Sequence, residues 1–289
     1  MSPSPASPRS LTDIPRVLRT GVVLLAMLVA GVASTAGAVT VSPTALYISA
    51  RSPSGLLTLV NTGTRPEEIE LSFGFGYPVS DTAGVLRVDV VDSAGKDEPS
   101  LAGWLRAFPR RLLLQPGQKQ VVRVTIVAPA GLADGEYWGR VLVKSRGGEP
   151  PIEQSQGQVR MQLSLETTFA TAVFYHKGDL KTGVSVTSPS AQRTKNGVQF
   201  TLDLSREGNA AFLGRVKAEV VDSTGSTRAT VEDVVAVYRT LRRRFVIRGD
   251  KPLPSGALTV RWLVDTERPD LPAQGPVRAA AVSGTTPVR

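Results

Sequence analysis

Residues 160–180 read RMQLSLETTFATAVFYHKGDL, and this stretch decides the fold. Met161, Leu163, Leu165, Thr167 and Phe169 alternate with Gln162, Ser164, Glu166 and Thr168. The period is two, so the pattern predicts one long strand, Arg160–Tyr175, with an apolar face and a wet face. An aromatic pair and a turn-prone glycine, Phe174-Tyr175-His176-Lys177-Gly178, close it. At mid-chain between two strand-rich halves, such a strand serves either as an ordinary sandwich strand or as an edge and a route between domains. An edge with alternating apolar residues is a template for another chain's strand.

Upstream, short runs rich in Val, Leu, Ile and Thr alternate with Gly, Pro, Asn and Asp, the rhythm of an all-β sandwich. Strands are expected at 39–42, 45–48, 55–61, 67–75, 86–91, 111–114, 120–127 and 135–145. Their turns are Asn61-Thr62-Gly63, Asp81-Thr82-Ala83-Gly84, Gln115-Pro116-Gly117 and Ala133-Asp134-Gly135. Trp104-Leu105 opens a short strand or a helical turn. Residues 147–157, GGEPPIEQSQG, read as a polar loop. Downstream the rhythm resumes at 183–187, 198–205, 214–221, 229–235, 241–248 and 257–265. From Asp270 to Arg289 the chain is rich in Pro, Gly, Ala and Ser without periodicity, which predicts a disordered tail.

The N-terminus reads as an export signal. Arg9, Arg16 and Arg19 precede the apolar run Val22–Ala33, and Ala36-Gly37-Ala38 is an A-x-A site, so processing is expected before Val39. The run is short of the ~20 residues of a membrane span. The expected parts are a signal peptide over 1–38, one domain over 39–180, a second over 181–268, and the tail over 269–289. Removing residues 1–38 takes away three Arg and one Asp, which lowers the net charge from +9 to +7. There is no cysteine, so an exported chain of this kind relies on core burial, with no disulfide, thiolate metal site or thiol nucleophile.

Little points to catalysis. The chain has one histidine, His176, and no cluster of carboxylates around it in the sequence. A zinc site needs more. Neither a G-x-S-x-G elbow nor a phosphate-binding loop occurs. Asp92-Ser93-Ala94-Gly95 and Asp222-Ser223-Thr224-Gly225 read as turns, since calcium loops carry more carboxylates. No enzyme activity, metal, cofactor or small-molecule substrate is therefore expected. A basic cluster at Arg239, Arg242, Arg243 and Arg244 raises nucleic acid or anionic lipid as partners. Few aromatics flank it and the strand context favours a solvated face, so nucleic acid is not expected.

A set of motifs in fixed order adds a resemblance. Val41-Ser42-Pro43-Thr44 is followed by Leu59-Val60-Asn61-Thr62-Gly63. Then come the run from Pro109 to Gln118 leading into Val121-Arg123-Val124, Gly135-Glu136-Tyr137-Trp138 with Val141-Leu142-Val143, and the strand ending Phe174-Tyr175. Together, over roughly residues 39–180, these resemble the PapD-like periplasmic chaperones of fimbrial assembly. The resemblance implies two immunoglobulin-like β-sandwich domains and a periplasmic location. It also implies a β-sandwich pilin-like or surface subunit as client, with an outer-membrane usher as a further partner. By analogy the donor strand would offer Met161, Leu163, Leu165 and Thr167 to the client's open core. That family also grips the client's C-terminal carboxylate with an Arg on the first strand and a Lys on the long strand. Here Thr44 or Ala45 and Ala172 stand at those places. Arg51, His176 and Lys177 are the cleft residues left to substitute. The alternative reading is an exported immunoglobulin-like structural or surface-interaction protein without chaperone activity.

Overall fold

The computed structural model describes residues 39–147 and 166–289, together with the backbone of 152–156 and 159–163. The expected signal segment and its cleavage site lie outside the described residues. Ala38–Arg289 forms one compact unit. Among the described residues its regular structure is strand, apart from a 3-10 turn at Ala102–Trp104. In chain order the strands are β1 (Val39–Ser42), β2 (Ala45–Ser49), β3 (Ser54–Asn61), β4 (Glu67–Gly74), β5 (Pro78–Ser80), β6 (Leu86–Val88) and β7 (Leu105–Phe108). Next come β8 (Arg111–Leu114), β9 (Lys119–Ile126), β10 (Gly135–Gly147), β11 (Ile152–Gln156), β12 (Val159–Leu163) and β13 (Glu166–Lys177). The second half holds β14 (Thr182–Thr194), β15 (Gly197–Gly208), β16 (Phe212–Asp222), β17 (Thr227–Val237), β18 (Thr240–Ile247), β19 (Leu258–Asp265) and β20 (Val282–Pro287).

Two immunoglobulin-like sandwiches result. The first packs the sheet β1-β3-β9-β7 against the sheet β2-β13-β10-β4-β8. Alternating residues such as Leu57 and Leu59, Val122 and Val124, Val141 and Val143 fill the space between, each fully buried. Each contributes about 1.5–3 kcal/mol by leaving water. The second packs β14-β15-β18 against β17-β16-β19-β20 around Phe200, Phe212, Phe245 and Trp262.

One local break shapes the first sandwich. Ser42-Pro43-Thr44 separates β1 from β2, and Pro43 has no N–H to continue a ladder. The chain therefore leaves the first sheet, where β1 pairs antiparallel with β3, and enters the second, where β2 pairs parallel with β13. The Asn61 turn is held equally locally. Its buried side chain donates to the carbonyls of Arg65 at 2.7 Å and Leu114 at 2.9 Å, and accepts from Gly63 N–H at 2.9 Å.

Three expectations need correction. The strand expected over 160–175 is two strands. Val159–Leu163 pairs with Ile152–Gln156, which lies within the stretch read as loop, whereas β13 begins at Glu166 and pairs with β10. Arg146 partners Glu166 while Ile152 partners Leu163, so the two ladders are three residues out of register with one another. That offset divides a pattern which reads as continuous. Residues 269–289 are not a disordered tail either. β20 adds to β19 with Val282 opposite Val264, and Arg289 exchanges backbone hydrogen bonds of 2.7 and 3.0 Å with Arg193 and Ala191 of β14. The cause is Trp262. Its indole lies over Gly284, where any Cβ would overlap the ring, and its Nε1 donates to Thr286 Oγ1 at 3.1 Å. Finally, the basic cluster is not a free face. Arg239 pairs with Glu98 at 3.1 Å, Arg242 with Asp203 at 2.7 Å, and Arg243 with Asp233. The small β5–β6 hairpin leans on it, with Arg242 N–H donating to Ser80 Oγ at 2.8 Å.

Candidate functional site

Strand β13 is paired along its whole length on one side and only along half of it on the other. β10 accompanies it from Glu166 to Lys177. β2 accompanies it from Ala172 to His176 only, because β2 starts after the crossing at Pro43. Ala172 N–H donates to Thr44 O at 3.1 Å, so by strand alternation Ala170 and Thr168 direct their N–H and C=O groups the same way. No strand among the described residues meets them there. The segment Glu166–Thr171 is thus an open edge. Thr167, Thr168 and Ala170 are exposed, Phe169 is half-buried against the first core, and Thr171 is buried.

The outward face beside this edge is shallow. Across the sheet lie the rows Ser72–Leu142–Ala170 and Glu70–Lys144–Thr168. Glu166 closes the end with ion pairs to Lys144 at 3.0 Å and to Arg146. A depression of about 560 Å³ sits between Glu68, Glu70, Arg111, Leu113, Lys144 and Arg146.

The other half of β13 is closed by the joint between the sandwiches. Tyr47 stacks on Phe174 with ring centroids 4.9 Å apart, and Trp138 meets Tyr238 of the second sandwich edge-on at 4.8 Å. Ala45, Ala211 and Leu213 fill in around them. Glu136 is 4% exposed and ties the two halves together. Its Oε1 accepts from Trp138 Nε1 at 2.7 Å and from Ala211 N–H at 2.9 Å, and its Oε2 lies 2.8 Å from His176 Nε2. Burial pushes the hydroxyls of Tyr47 and Tyr238 well above the usual phenol range, and the Glu136 carboxylate adds to both shifts. The Tyr47 hydroxyl is buried without a hydrogen-bond partner among the described residues. The segment between β19 and β20 covers that ring. Gly275, at φ +121°, lies so close that a Cβ would overlap it, and Leu271 enters the same apolar cluster.

The residues picked from the sequence divide accordingly. Thr167 lies on the open edge. The side chains of Met161 and Leu163, and Leu165 altogether, lie outside the described residues. Ala45, one of the two residues the resemblance offers for the first place, is the direct register partner of Ala172 beside the joint, and both are small and apolar. Thr44 is exposed and supplies only its carbonyl to β13. Arg51 is exposed on the turn after β2. His176 and Lys177 already face carboxylates of their own, Glu136 at 2.8 Å and Asp134 at 3.1 Å. The sequence reading missed Arg140, which sits opposite Ala172 on β10 and donates to Gly76 O at 2.9 Å. It also missed Glu136 as the tie. Both fall on the period-two face of β10 that carries Trp138, and a charged residue on that face was the available signal.

Neither a family model nor a curated protein sequence matches the chain. Solved structures are similar to it at low identity. It is similar to the class 5 fimbriae chaperone CfaA, at 12% identity over 86% of this chain and 98% of that one, with a TM-score of 0.46. It is also similar to a structure of the CsuC–CsuE chaperone–tip adhesion subunit pre-assembly complex from the archaic chaperone-usher Csu pili of Acinetobacter baumannii. There the identity is 12% over 86% and 98% of the two chains, with a TM-score of 0.44. A third similar structure is the Salmonella enterica SafA pilin in complex with the SafB chaperone, at 14% identity over 87% and 98%, with a TM-score of 0.43.

Proposed function

We propose that the chain is a periplasmic assembly chaperone that holds a β-sandwich subunit by adding its own strand to the client. The observation that carries this is the half-paired strand β13, whose segment Glu166–Thr171 keeps one edge free of any described strand. An open edge is normally a hazard that proteins cover or charge. Here it is flanked by Glu166 with its ion pairs at one end and the aromatic joint at the other, which leaves a bounded site for one strand. Backbone hydrogen bonds supply affinity in such an addition, and alternate side chains supply specificity. Met161, Leu163, Leu165 and Thr167 are the proposed donors. An outer-membrane usher is the proposed later partner.

Binding in this site does not use a basic anchor at Ala45 and Ala172. A client peptide with an amidated C-terminus therefore binds about as well as the free acid, with weak salt dependence. The direct test refolds the chain with any β-sandwich subunit that proves to be encoded near its gene. Leu163→Glu is expected to abolish capture and leave the thermal midpoint unchanged, because an unpaired charge cannot enter the client's core. Unfolding by the same substitution, or no capture of any such subunit by the parent chain, would return the protein to a purely structural role.

A further inference from the structure

The sheet β1-β3-β9-β7 is built from two stretches of sequence, 39–66 and 99–133, in which no Asp or Glu occurs. The same stretches carry Arg51, Arg65, Arg106, Arg110, Arg111, Lys119 and Arg123. The register places the outward residues in rows: Arg106–Thr125–Ser54, Phe108–Arg123–Leu56, Val121–Thr58–Ser42 and Lys119–Val60–Thr40. Large apolar side chains stand among these cations, with Phe108 81% exposed, Leu56 54% and Val121 42%. The opposite sheet of the same sandwich differs. Its cations Arg111, Lys144 and Arg146 are paired with Glu70 and Glu166. Among the described residues, Arg106 is the one cation of the outward rows with side-chain hydrogen bonds, and these go to the carbonyls of Gly103 and Leu105, which leave its charge in place.

We propose that this face docks the protein on an anionic phospholipid bilayer. Charge complementarity sets the sign of the partner: a carboxylate-free surface with several unneutralised cations attracts negative charge. The apolar residues set its kind. Phe108, Leu56 and Val121 add nothing to binding a soluble polyanion, but they gain by entering the interfacial zone of a bilayer, where apolar burial and attraction to anionic headgroups add. A flat sheet face suits a fluid surface, which needs no matching pocket. The face lies on the sheet opposite to β13, so docking leaves the open edge accessible. The inference stands independently of the function proposed for that edge.

The test is co-sedimentation of the compact unit Ala38–Arg289 with vesicles of phosphatidylcholine plus phosphatidylglycerol and with vesicles of phosphatidylcholine alone. This unit contains both hydrophobic cores and omits the N-terminal apolar run, which would bind lipid by itself. Binding to the anionic vesicles, weakened by salt, is expected, with little binding to the neutral ones. Neutralising Arg123→Gln should weaken it about fivefold, and Lys119→Gln in addition by about the same factor again. Phe108→Ser should weaken it several-fold at unchanged charge. Each altered side chain is exposed, so thermal midpoints should stay with the parent, and a variant that unfolds is replaced by the other in the comparison. Equal binding to both vesicle types, no binding to either, or no effect of Arg123→Gln with Lys119→Gln would overturn the proposal. So would binding of a soluble poly-glutamate peptide as tightly as of vesicles with no effect of Phe108→Ser, which would assign the face to an acidic protein.

Discussion

The two halves of β13 differ in everything but their strand partner β10. Ala172–His176 lies between β10 and β2, carries Phe174 into an aromatic joint, and shares Glu136 with the second sandwich. Glu166–Thr171 has β10 alone and exposes Thr167, Thr168 and Ala170. The boundary is set at the start of the neighbouring strand β2, where Pro43 sends the chain from one sheet to the other. One element thereby serves as a structural hinge-pin at one end and as an unpaired edge at the other. Stability concentrates in the first half, and the open backbone edge lies in the second.

Substitutions that compare the halves should separate sharply. Phe174→Ala removes a ring that is 2% exposed and stacked on Tyr47. It should cost about 3–5 kcal/mol in urea unfolding. Phe169→Ala, half-buried at the rim of the first core, should cost about 1–2 kcal/mol. Equal losses would mean that the open half is as integral as the closed one. The backbone gives a second contrast. Ala172→Pro deletes the N–H that donates to Thr44 O and should destabilise by about 2–4 kcal/mol. Ala170→Pro deletes an N–H that faces the open side, and edge positions tolerate proline, so its cost should stay below about 1 kcal/mol. A melt that ranks Ala170→Pro with Ala172→Pro would show that the edge is covered.

The smallest effect concerns the joint at alkaline pH. Burial holds the folded-state pKa of Tyr47 above that of the unfolded chain, near 10. Between those values the unfolded chain has released a proton that the folded chain keeps, so stability falls as pH rises above about 10. Tyr47→Phe should flatten that fall and, by removing a buried hydroxyl without a partner among the described residues, leave stability at neutral pH unchanged or higher by up to ~1 kcal/mol. A lower midpoint at neutral pH would reveal a partner for that hydroxyl.

Most of the fold was readable because sandwich strands alternate. Expected strands such as 111–114 and 120–127 fall within a residue or so of β8 and β9. The two-sandwich architecture follows from their number and from the glycine- and asparagine-bearing turns. Failures came where neighbours, and not local pattern, decide the outcome. β20 reads VSGTTP, small and weakly patterned, and exists because Trp262 needs cover and Gly284 leaves room for its ring. The division between β12 and β13 is a register offset in a hairpin, which leaves no mark on period-two alternation. At the candidate site, the resemblance set Thr44 or Ala45 against Ala172, and it is Ala45 that is the register partner of Ala172. The sequence could not show that β2 stops short of Ala170, since that depends on where the chain crosses between sheets. Nor could it show that Arg106, Lys119 and Arg123 line up on the outward face of one sheet, although the absence of Asp and Glu from 39–66 and 99–133 was there to be read.

The central claim, that Glu166–Thr171 receives a partner strand, is tested most directly by amide hydrogen exchange across β13 with and without a captured β-sandwich subunit. The amides of Thr168 and Ala170 should exchange fast in the free protein and become protected in the complex. Those of Ala172 and Phe174, already in the sheet, should change little. Protection of Thr168 and Ala170 in the free protein, or a stable complex that leaves both exchanging freely, would contradict the account.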